Sequence, residues 1–341
     1  MKLLLMTDTY EWQVNGVTRC LENLRANLPQ DVEVEVISTD DFLSVPFLGY
    51  KEIRLSLMFP RQIYRRMKAF QPDAIHIMTE WPIGLTAATL CRRRRIPYTT
   101  TFHTKYPEYL HMRNPLVREK YVHFYLHQVH DHAEKIFVSN ASLDMYLERN
   151  GYSHRDIVPF GINHTIFHPW MGNLFVWLPS PRLLFVGRIA IEKNIEDFLD
   201  IDVPCTKIVV GDGPLMKKYS QKYGEVLFLG QKTAEELWEI YRSVDVFVFP
   251  SKTDTLGLVN LEAMASGLPI IAYDIEGTRW IIDHGRTGIL VPEGEKLASA
   301  LEKIATIDRN ACIAWVQNFT WENYANKFLK EQSLISQKIW T

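Results

Sequence analysis

The sequence predicts two doubly wound α/β domains in tandem, and three observations support this. The chain has 341 residues, more than one hydrophobic core usually organises, so two domains of about 150 residues each are expected. In both halves, short apolar runs alternate with longer helical patterns, which is typical of βαβ units around a parallel sheet. A stretch without clear periodicity, with Pro159, Gly161 and Pro169, makes residues 160–180 the best linker candidate. Ligands of such sheets bind beyond the carboxyl ends of the strands, so two domains that face each other are expected to share a central cleft.

In the first half, apolar runs such as Leu3-Leu4-Leu5-Met6 predict buried strands, and the segments between them carry helical patterns. The predicted strands are residues 3–6, 32–38, 74–78, 98–102 and 136–139, and the predicted helices are residues 16–28, 60–70, 82–93, 115–133 and 141–150.

In the second half, the same alternation restarts after the linker candidate. The predicted strands are residues 183–186, 207–210, 226–229, 246–249, 270–272 and 289–291, and the predicted helices are residues 195–199, 234–242 and 258–266.

The composition excludes several classes of protein. Hydrophobic residues make up 47% of the chain and charged residues 23%, which indicates a folded soluble protein, and the net charge of −2 gives no global field for nucleic acid. The four cysteines have no CxxC spacing, so reduced thiols in the cytoplasm are expected. The first apolar run is too short for a signal peptide, and no segment approaches the roughly 18 apolar residues of a membrane span. Membrane contact is therefore expected to be peripheral at most.

The segment from Ser251 to Pro269 carries the strongest functional signal. A predicted strand ends before it, a polar loop with Gly257 follows, and a helix then begins, so the backbone N–H groups of Thr255, Leu256, Gly257 and Leu258 lie where phosphate binds helix starts. Asp254 and Glu262 bracket this loop, and carboxylates accept hydrogen bonds from the hydroxyl groups of sugars. The alternative is that Asp254 caps the helix and Glu262 is solvated.

The same segment resembles a known signature. EAMASGLP, with Asp254 eight positions upstream of Glu262, resembles the E-x7-E motif of family 4 retaining glycosyltransferases. That family usually has Glu at the position of Asp254, contacts the donor hexose with the first acid and binds the donor ribose with the second. The resemblance implies these roles for Asp254 and Glu262. The overall pattern is most similar to bacterial GDP-mannose-dependent α-mannosyltransferases and glycolipid glycosyltransferases.

The resemblance also implies an architecture. It predicts a GT-B fold of two Rossmann-like domains: an acceptor-binding domain over residues 1–165 and a nucleotide-sugar-binding domain over residues 166–320. The last helix, within residues 321–341, is expected to cross back to the first domain.

Two further loops of the second half are candidates for donor binding. Arg188 and Lys193 follow a strand end together and suit a diphosphate, although two solvent-facing cations are the alternative. They resemble the GR…EK element of the family, which binds the donor diphosphate and stabilises the leaving group without a metal. Gly211, Asp212 and Gly213 resemble the family element GDGP near the nucleotide base, and a plain β-turn is the alternative.

In the first half, the loop after the first strand contains Asp8, Tyr10, Asn15 and Gly16. Gly16, at a helix start, lets phosphate approach backbone amides, although an ordinary turn would have the same sequence. The segment QVNGV resembles the N-terminal loop of family members that glycosylate lipids or transfer mannose. Asp8, Tyr10 and Asn15 are therefore predicted on the acceptor side.

His103 and Tyr106 follow another strand end. A lone histidine is often structural, but FHT-x-Y resembles the family element whose histidine faces the donor sugar. We therefore predict that His103 is a partner of sugar hydroxyl groups and an electrostatic helper, and that Tyr106 lies on the acceptor side.

Other patterns are weaker. Asp200 and Asp202 spell the DxD of metal-dependent glycosyltransferases at a helix end, and His123 and His127 have helical i, i+4 spacing, but neither predicts a metal site here. Cations could bind an anionic membrane surface or form a solvated face. These cations are Arg61, Arg65, Arg66, Lys68, residues 92–95 and those of residues 106–120.

Together these patterns predict an α-retaining hexosyltransferase, with GDP-mannose as the first-choice donor and a lipid or glycan as the acceptor. Its predicted catalytic residues are His103, Arg188, Lys193 and Asp254. No metal or other cofactor is expected, because the nucleotide-sugar is a substrate. The alternatives are a UDP-sugar-dependent glycolipid synthase acting on diacylglycerol and an inactive sugar-nucleotide-binding regulatory protein. A cytoplasmic protein, in peripheral contact with the inner face of the membrane, is the expected location.

Overall fold

The computed structural model describes residues 1–9, 15–47, 50–169 and 172–335. The chain forms two compact units, Met1–Phe160 with Trp321–Thr341, and Gly161–Thr320. Each unit contains a six-stranded parallel sheet with helices between its strands. The predicted α/β class is confirmed.

The first unit alternates strands with helices. Its elements are β1 (Lys2–Met6), α1 (Gly16–Ala26), β2 (Glu33–Ile37), β3 (Leu43–Phe47), β4 (Tyr50–Leu57), α2 (Pro60–Phe70), β5 (Ala74–Ile77), α3 (Pro82–Arg94), β6 (Thr99–Thr101), α4 (Tyr106–Arg113), α5 (Glu119–His130), β7 (Lys135–Val138), α6 (Ala141–Arg149) and β8 (Arg155–Ile157).

The sheet of the first unit has the strand order β2-β1-β5-β6-β7-β8. β1 is apolar on both faces, as is usual in parallel sheets covered by helices, and its Leu3, Leu4, Leu5 and Met6 are fully buried. The central strands β5 and β6 are buried as well but contain polar residues, His76 and Thr99–Thr101. The order reverses between β1 and β5, which are direct neighbours. The loops after these two strands therefore meet at the switch point, where ligands of such sheets bind.

The second unit repeats this architecture. Its elements are β9 (Arg182–Val186), α7 (Glu196–Leu199), β10 (Thr206–Val210), α8 (Met216–Lys222), β11 (Leu227–Phe228), α9 (Ala234–Tyr241), β12 (Val246–Phe249), α10 (Leu258–Ala265), β13 (Ile270–Tyr273), α11 (Glu276–Ile281), β14 (Gly288–Val291), α12 (Leu301–Ile304) and α13 (Arg309–Val316). The strand order is β11-β10-β9-β12-β13-β14, so the switch point lies between β9 and β12.

The final helix, α14 (Trp321–Ile335), belongs to the first unit. Its Tyr324 hydroxyl lies 3.3 Å from Cys20 Sγ of α1, and Gln332 donates a hydrogen bond of 2.6 Å to Thr99 of β6. Gln332 lies more than 200 positions from Thr99 in the sequence. Such contacts explain why a helix at the end of the chain is part of a unit built from its beginning.

Several elements differ from the predictions. The antiparallel hairpin β3–β4 was not predicted, because Leu43 and Leu57, at its two ends, are exposed and do not mark a buried face. The predicted helix over residues 115–133 is shorter, and α4 precedes it. The chain is extended at Asn114 because the following Pro115 disfavours helical geometry there. The second unit begins inside the linker candidate, at Gly161.

Throughout the part of the chain that is described, no helix combines the length and the hydropathy that crossing a bilayer would require.

Candidate active site

In the second unit, the loop after β12 leads into α10 at the switch point of the sheet. α10 begins after Gly257, which has a φ of +68°, and no side chain among the described residues caps it. The start of an uncapped helix presents N–H groups and a positive dipole end to anions. The geometry is therefore suited to phosphate, and phosphate binding at this helix start stays a prediction.

Glycine is required at position 257. A Cβ atom there would lie 2.7 Å from Asn260 Nδ2 and 2.7 Å from the ring of Phe249. Asn260, which is buried, donates a hydrogen bond of 3.3 Å to the carbonyl oxygen of Leu256 and so holds the loop. Leu256 is buried, whereas Thr255 and Leu258 are half-buried. Asn260 was not predicted, although a polar residue inside the apolar helix LVNLEAMA was a signal for it.

Lys193 and Asp254 meet at this loop. Lys193 ends a 3-10 turn after β9, and its Nζ lies 2.5 Å from Oδ1 of Asp254, whose side chain is 10% exposed. The Thr253 hydroxyl donates a hydrogen bond of 3.1 Å to the carbonyl oxygen of Glu192, which joins the same two loops. Arg188 is half-buried in the loop after β9. Asp254 thus pairs with Lys193, the residue that is predicted to bind the diphosphate, and does not cap α10.

Glu262 lies in α10 and is only 5% exposed, so it is not the solvated residue of the alternative interpretation. Tyr241, at the end of α9, donates a hydrogen bond of 3.2 Å to Glu262 Oε2. Tyr241 is itself buried and orients this carboxylate. Nothing in the sequence pattern indicated Tyr241, because it lies in a different helix, 21 positions from Glu262.

The turn at Gly211, Asp212 and Gly213 packs tightly against the loop after β9. Gly211 has a φ of +130°, and a Cβ atom there would lie 2.0 Å from the carbonyl oxygen of Gly187. The N–H of Ile189 donates a hydrogen bond of 2.9 Å to the carbonyl oxygen of Asp212. A Cβ atom at Gly213 would lie 2.5 Å from the carbonyl oxygen of Ile189. Gly211 and Gly213 are therefore both explained by close backbone packing, and nucleotide binding at this turn stays a prediction.

Replacing Gly211 with alanine is expected to destabilise the second unit by about 3 kcal/mol or more, because it adds both strain at positive φ and a steric clash. The measurement is the midpoint of thermal unfolding, which should fall by roughly 6–12 °C. Gly224→Ala is the matched control, because a Cβ atom at Gly224 meets nothing within 4 Å. Equal midpoints for the two variants would contradict the close-packing explanation.

In the first unit, Asp8 follows β1 at the switch point, and its carboxylate is fully used. Its Oδ1 accepts a hydrogen bond of 2.7 Å from the N–H of Ile83, and its Oδ2 accepts bonds from the Thr79 hydroxyl at 2.8 Å and the Gly84 N–H at 3.3 Å. Asp8 therefore holds the start of α3. Burial raises the pKa of Asp8 to about 6, although these donors oppose the rise. A role on the acceptor side stays a prediction.

This pKa gives the first unit a specific pH dependence. The folded state keeps the proton on Asp8 at pH values where the unfolded chain has lost it, so the free energy of unfolding should fall as pH rises from about 4 to about 6. The full effect is about 3 kcal/mol. The unfolding midpoint of Asp8→Asn, minus that of wild type, should therefore increase as pH rises from 4.5 to 7.5. Asp31→Asn, at an exposed site, is the control, and a constant difference between Asp8→Asn and wild type would contradict the shift.

Gly16 begins α1 and Asn15 caps it. Asn15 Oδ1 accepts hydrogen bonds of 2.9 Å from the N–H groups of both Val17 and Thr18, so two amides of this helix start already have a partner. A Cβ atom at Gly16 would meet nothing within 4 Å. Phosphate binding here and the acceptor-side role of Asn15 stay predictions, and Tyr10 lies outside the described residues.

His103 and Tyr106 lie beyond the carboxyl end of β6. The His103 ring stacks on Phe160 with ring centroids 5.6 Å apart. Burial, aided by the nearby His130, lowers the pKa of His103 to about 3, so the imidazole is neutral near pH 7. A neutral ring suits hydrogen bonding to a hydroxyl group better than electrostatic assistance. The Tyr106 ring contacts Trp81 edge to face at 5.3 Å, and burial raises the pKa of Tyr106.

Two buried ionisable residues of this edge were not predicted. Glu80 follows β5, and its Oε1 lies 3.4 Å from Nε2 of His130, which ends α5. The other ring nitrogen of His130 lies 2.9 Å from the hydroxyl of Thr100 in β6. Glu80 lies two positions before Pro82, which begins α3. A carboxylate between a strand and a helix start was a usable signal. His130 lies in the same helix as His123 and His127 and was not singled out.

The patterns that were discounted as metal sites have other contacts. His127, which shares its helix with His123, has its Nδ1 2.6 Å from Asp131 Oδ1. Asp200 accepts a hydrogen bond of 2.6 Å from the Tyr223 hydroxyl. Within residues 1–9, 15–47, 50–169 and 172–335, no group of three or more His, Cys, Asp or Glu side chains is arranged to hold a metal ion.

Two family models match the chain, one in each half. The model described as Glycosyltransferase Family 4 matches residues 14–165, and the model described as Glycosyl transferases group 1 matches residues 180–306. The chain belongs to the family 4 glycosyltransferases. The first match covers the loops with Glu80 and His103 and begins after Asp8, and the second covers the loops with Lys193 and Asp254.

Individual relatives of this glycosyltransferase include enzymes for two kinds of product. Alpha-monoglucosyldiacylglycerol synthase of Streptococcus pneumoniae is 28% identical over 91% of this chain and 80% of its own length. A GDP-mannose-dependent alpha-mannosyltransferase of Corynebacterium glutamicum is 27% identical over 99% of this chain and 91% of its own length.

Among solved structures, sucrose-phosphate synthase from Thermosynechococcus elongatus matches with a TM-score of 0.78 at 21% identity, over 99% of this chain and 100% of its own. This likeness concerns the fold alone. The predicted two-domain GT-B fold is confirmed.

Proposed function

We propose that this glycosyltransferase moves a hexose from a nucleotide-sugar to a hydroxyl group with retention of configuration at the anomeric carbon. The observation that carries the proposal is the contact between Lys193 and Asp254, at 2.5 Å. It joins the loops after the two switch-point strands, β9 and β12, beside the uncapped start of α10. A cation for the diphosphate, a carboxylate for the hexose and free helix amides thus occur together in the second unit.

The proposed reaction is a front-face displacement. The bond between the anomeric carbon and the diphosphate oxygen breaks, and the acceptor oxygen bonds to the same face of that carbon. The acceptor proton passes to the leaving diphosphate, so the products are a glycoside and a nucleoside diphosphate. Arg188 and Lys193 stabilise the charge that develops on the diphosphate. His103, neutral near pH 7, accepts or donates hydrogen bonds to hexose hydroxyl groups.

We propose that this charge stabilisation makes a metal unnecessary. Two side-chain cations and the α10 amides supply the positive charge that a divalent ion supplies in other transferases. Transfer should therefore continue at an unchanged rate after dialysis against EDTA. A loss of activity that Mg²⁺ or Mn²⁺ restores would contradict this part of the proposal.

GDP-mannose is the donor that we propose first, and the relative from C. glutamicum supports it. The test is a thermal-shift screen of GDP-mannose, UDP-glucose and UDP-glucuronate. A ligand at 100 times its dissociation constant stabilises the folded protein by roughly 2.7 kcal/mol, so a true donor raises the unfolding midpoint measurably. If UDP-glucose raises the unfolding midpoint and GDP-mannose does not, the second candidate function is favoured.

The second candidate is a UDP-sugar-dependent glycolipid synthase that acts on diacylglycerol at the inner face of the cytoplasmic membrane. The relative from S. pneumoniae supports it, and so does a surface of the first unit, here called the basic surface. Its cations are exposed and form no ion pair with the described residues. They are Arg61, Arg65 and Lys68 of α2 and residues 92–95 at the end of α3, which packs against α2.

Two further observations refine this surface. Arg66, which was predicted to belong to it, instead pairs with Glu35 at 2.9 Å and Asp41 at 2.6 Å. Phe59, directly before α2, is 74% exposed. Exposed apolar side chains beside cations favour contact with an anionic lipid surface, where each cation contributes about 1 kcal/mol.

Flotation with vesicles tests the lipid contact. Vesicles that contain 30% phosphatidylglycerol should carry the protein upward at low salt, and pure phosphatidylcholine vesicles should not. Charge reversal of Arg61 and Arg65 should abolish flotation. Charge reversal of Arg66 is not a suitable control, because it would also break the ion pairs of Arg66 with Glu35 and Asp41. Exposed Lys296 of the second unit is the better control, and equal flotation of all variants would contradict the basic surface.

A further inference from the structure

Glu80 is a buried carboxylate with too few partners. It is 2% exposed, and its Oε1 is buried without a hydrogen-bond partner, 3.4 Å from His130 Nε2. Its carboxylate accepts no hydrogen bond from any residue in the described part of the chain. Buried carboxylates are ordinarily paired and accept several hydrogen bonds, because desolvation is otherwise too costly. Such a deficit needs an explanation, and a missing ligand is one.

The place of Glu80 in the fold points to a ligand. Glu80 lies between Thr79 and Trp81, in the loop after β5, and β5 pairs with β1 where the strand order of the first sheet reverses. Doubly wound sheets bind ligands at this edge. In the second unit, the equivalent loops after β9 and β12 carry Lys193 and Asp254.

The neighbouring carboxylate does not compete for that ligand. Asp8, which follows β1, receives hydrogen bonds from Ile83, Gly84 and Thr79 and is committed to the start of α3. The negative charge of Glu80 contributes to the raised pKa of Asp8, in line with their closeness. Of these two carboxylates at the switch point, Glu80 is the one with unused acceptor capacity.

His130 does not supply what Glu80 lacks. Its Nδ1 is hydrogen-bonded to the Thr100 hydroxyl at 2.9 Å, which fixes the ring. Its Nε2 is buried 3.4 Å from Glu80 and makes no hydrogen bond with the described residues. A ligand hydroxyl group can donate a hydrogen bond to Glu80, because a carboxylate only accepts.

Aromatic side chains border Glu80. The Tyr125 hydroxyl donates a hydrogen bond of 2.7 Å to the carbonyl oxygen of Glu80. The ring of Trp81 lies 6.0 Å from that of Tyr125 and 5.3 Å from that of Tyr106, and all three side chains are half-buried. Aromatic rings around a single carboxylate suit a molecule that has both hydroxyl groups and apolar C–H faces, such as a sugar or another polyol.

We propose that Glu80 binds a hydroxyl group of the acceptor, whose headgroup is an uncharged sugar or polyol flanked by Trp81, Tyr106 and Tyr125. This inference rests on the proposed function, because it assigns the acceptor of that transfer. Glu80 accepts a hydrogen bond and takes no proton, so the acceptor proton still passes to the leaving diphosphate.

The test compares Glu80→Gln with His130→Asn. Glu80→Gln keeps the shape of the side chain and removes its charge, whereas His130→Asn keeps a group near Thr100 and removes the Nε2 that faces Glu80. Transfer is measured with GDP-mannose and UDP-glucose as donors and with dioleoylglycerol and methyl α-mannopyranoside as acceptors. The other measurements are the dissociation constants of GDP and UDP and the midpoint of thermal unfolding.

Glu80→Gln should lower kcat/KM for the acceptor by about 10- to 100-fold, the loss expected for one hydrogen bond to a charged group. It should leave the dissociation constant of the preferred nucleotide within twofold and should not lower the unfolding midpoint. His130→Asn should lower kcat/KM for the acceptor less than fivefold.

Three results would overturn the inference. Equal losses of kcat/KM in both variants, with lowered midpoints, would make Glu80 a structural partner of His130. A rise in the KM of the donor alone would assign Glu80 to the donor hexose, and wild-type kinetics in Glu80→Gln would exclude any substrate contact. If the wild-type protein transfers no hexose with any of these pairs, the proposed function fails first, and the inference fails with it.

Discussion

Replacement of Lys193 by alanine is expected to lower kcat by two to three orders of magnitude. The Lys193 ammonium lies 2.5 Å from Asp254 at the switch point of the second sheet, where the diphosphate of the donor is proposed to leave. Removing one preorganised donor of positive charge typically has an effect of this size, because the groups that remain stabilise the charge of the transition state less completely. The unfolding midpoint should change little, since the Lys193 side chain is itself partly exposed.

Lys252→Ala is the matched control for this prediction. Lys252 lies in the same loop as Asp254, is 40% exposed, and pairs with Asp197 at 3.3 Å. Its removal should leave kcat within about twofold, because a surface ion pair contributes little. Wild-type turnover in Lys193→Ala would remove the diphosphate assignment.

A double-mutant cycle separates two roles of Lys193. If Lys193 acts only by orienting Asp254, then Asp254→Asn should be as slow as Lys193→Ala, and the double variant should be no slower. If Lys193 binds the diphosphate directly, the two losses should be largely independent. Asp254→Glu, which restores the acid that the family usually has, should keep activity if the longer side chain still reaches the hexose.

Replacement of Glu262 by glutamine is expected to raise the KM of the nucleotide-sugar by about 10- to 100-fold with a smaller change in kcat. The variant keeps the size of a side chain that is 5% exposed. It loses the charge that, in the proposed ribose-binding role, strengthens hydrogen bonds from the ribose hydroxyl groups. An effect mainly on KM is expected because the ribose is remote from the bond that breaks.

The ribose assignment has its own readout. Wild-type protein should bind a nucleoside diphosphate at least tenfold more tightly than its 2′-deoxy analogue, and Glu262→Gln should lose most of that discrimination. Tyr241→Phe, which removes the 3.2 Å hydrogen bond to Glu262, should lie between them. Glu225→Gln, at an exposed site, is the control. Unchanged discrimination in Glu262→Gln would place its carboxylate away from the ribose.

Most of the regular fold could be predicted from the sequence because the central strands are short, apolar and separated by helical patterns. β1, β9 and β12 were predicted within one or two residues for this reason. The hairpin β3–β4 could not be predicted, since its exposed leucines do not mark a buried face. A two-stranded hairpin outside the main sheet has no period that distinguishes it from a loop.

The candidate site was predictable only in part. Lys193 and Asp254 were recognised because each lies in a loop that follows an apolar strand and resembles a family motif. Their contact could not be predicted from local pattern, because they are 61 positions apart and meet only through the order of strands in the sheet. Asp8 was chosen for the same kind of position, yet the fold uses its carboxylate to hold α3.

By itself, the sequence determined the two α/β units, the family and the loops that carry chemically useful side chains. These depend on local periodicity and on motifs, both of which are properties of short segments of the sequence. Only the tertiary structure decided how each side chain is used: that Lys193 pairs with Asp254, that Tyr241 orients Glu262 and that Asp8 is satisfied while Glu80 is not. The physical reason is that hydrogen bonding and burial depend on neighbours brought together by strand order, and strand order is a property of the folded sheet.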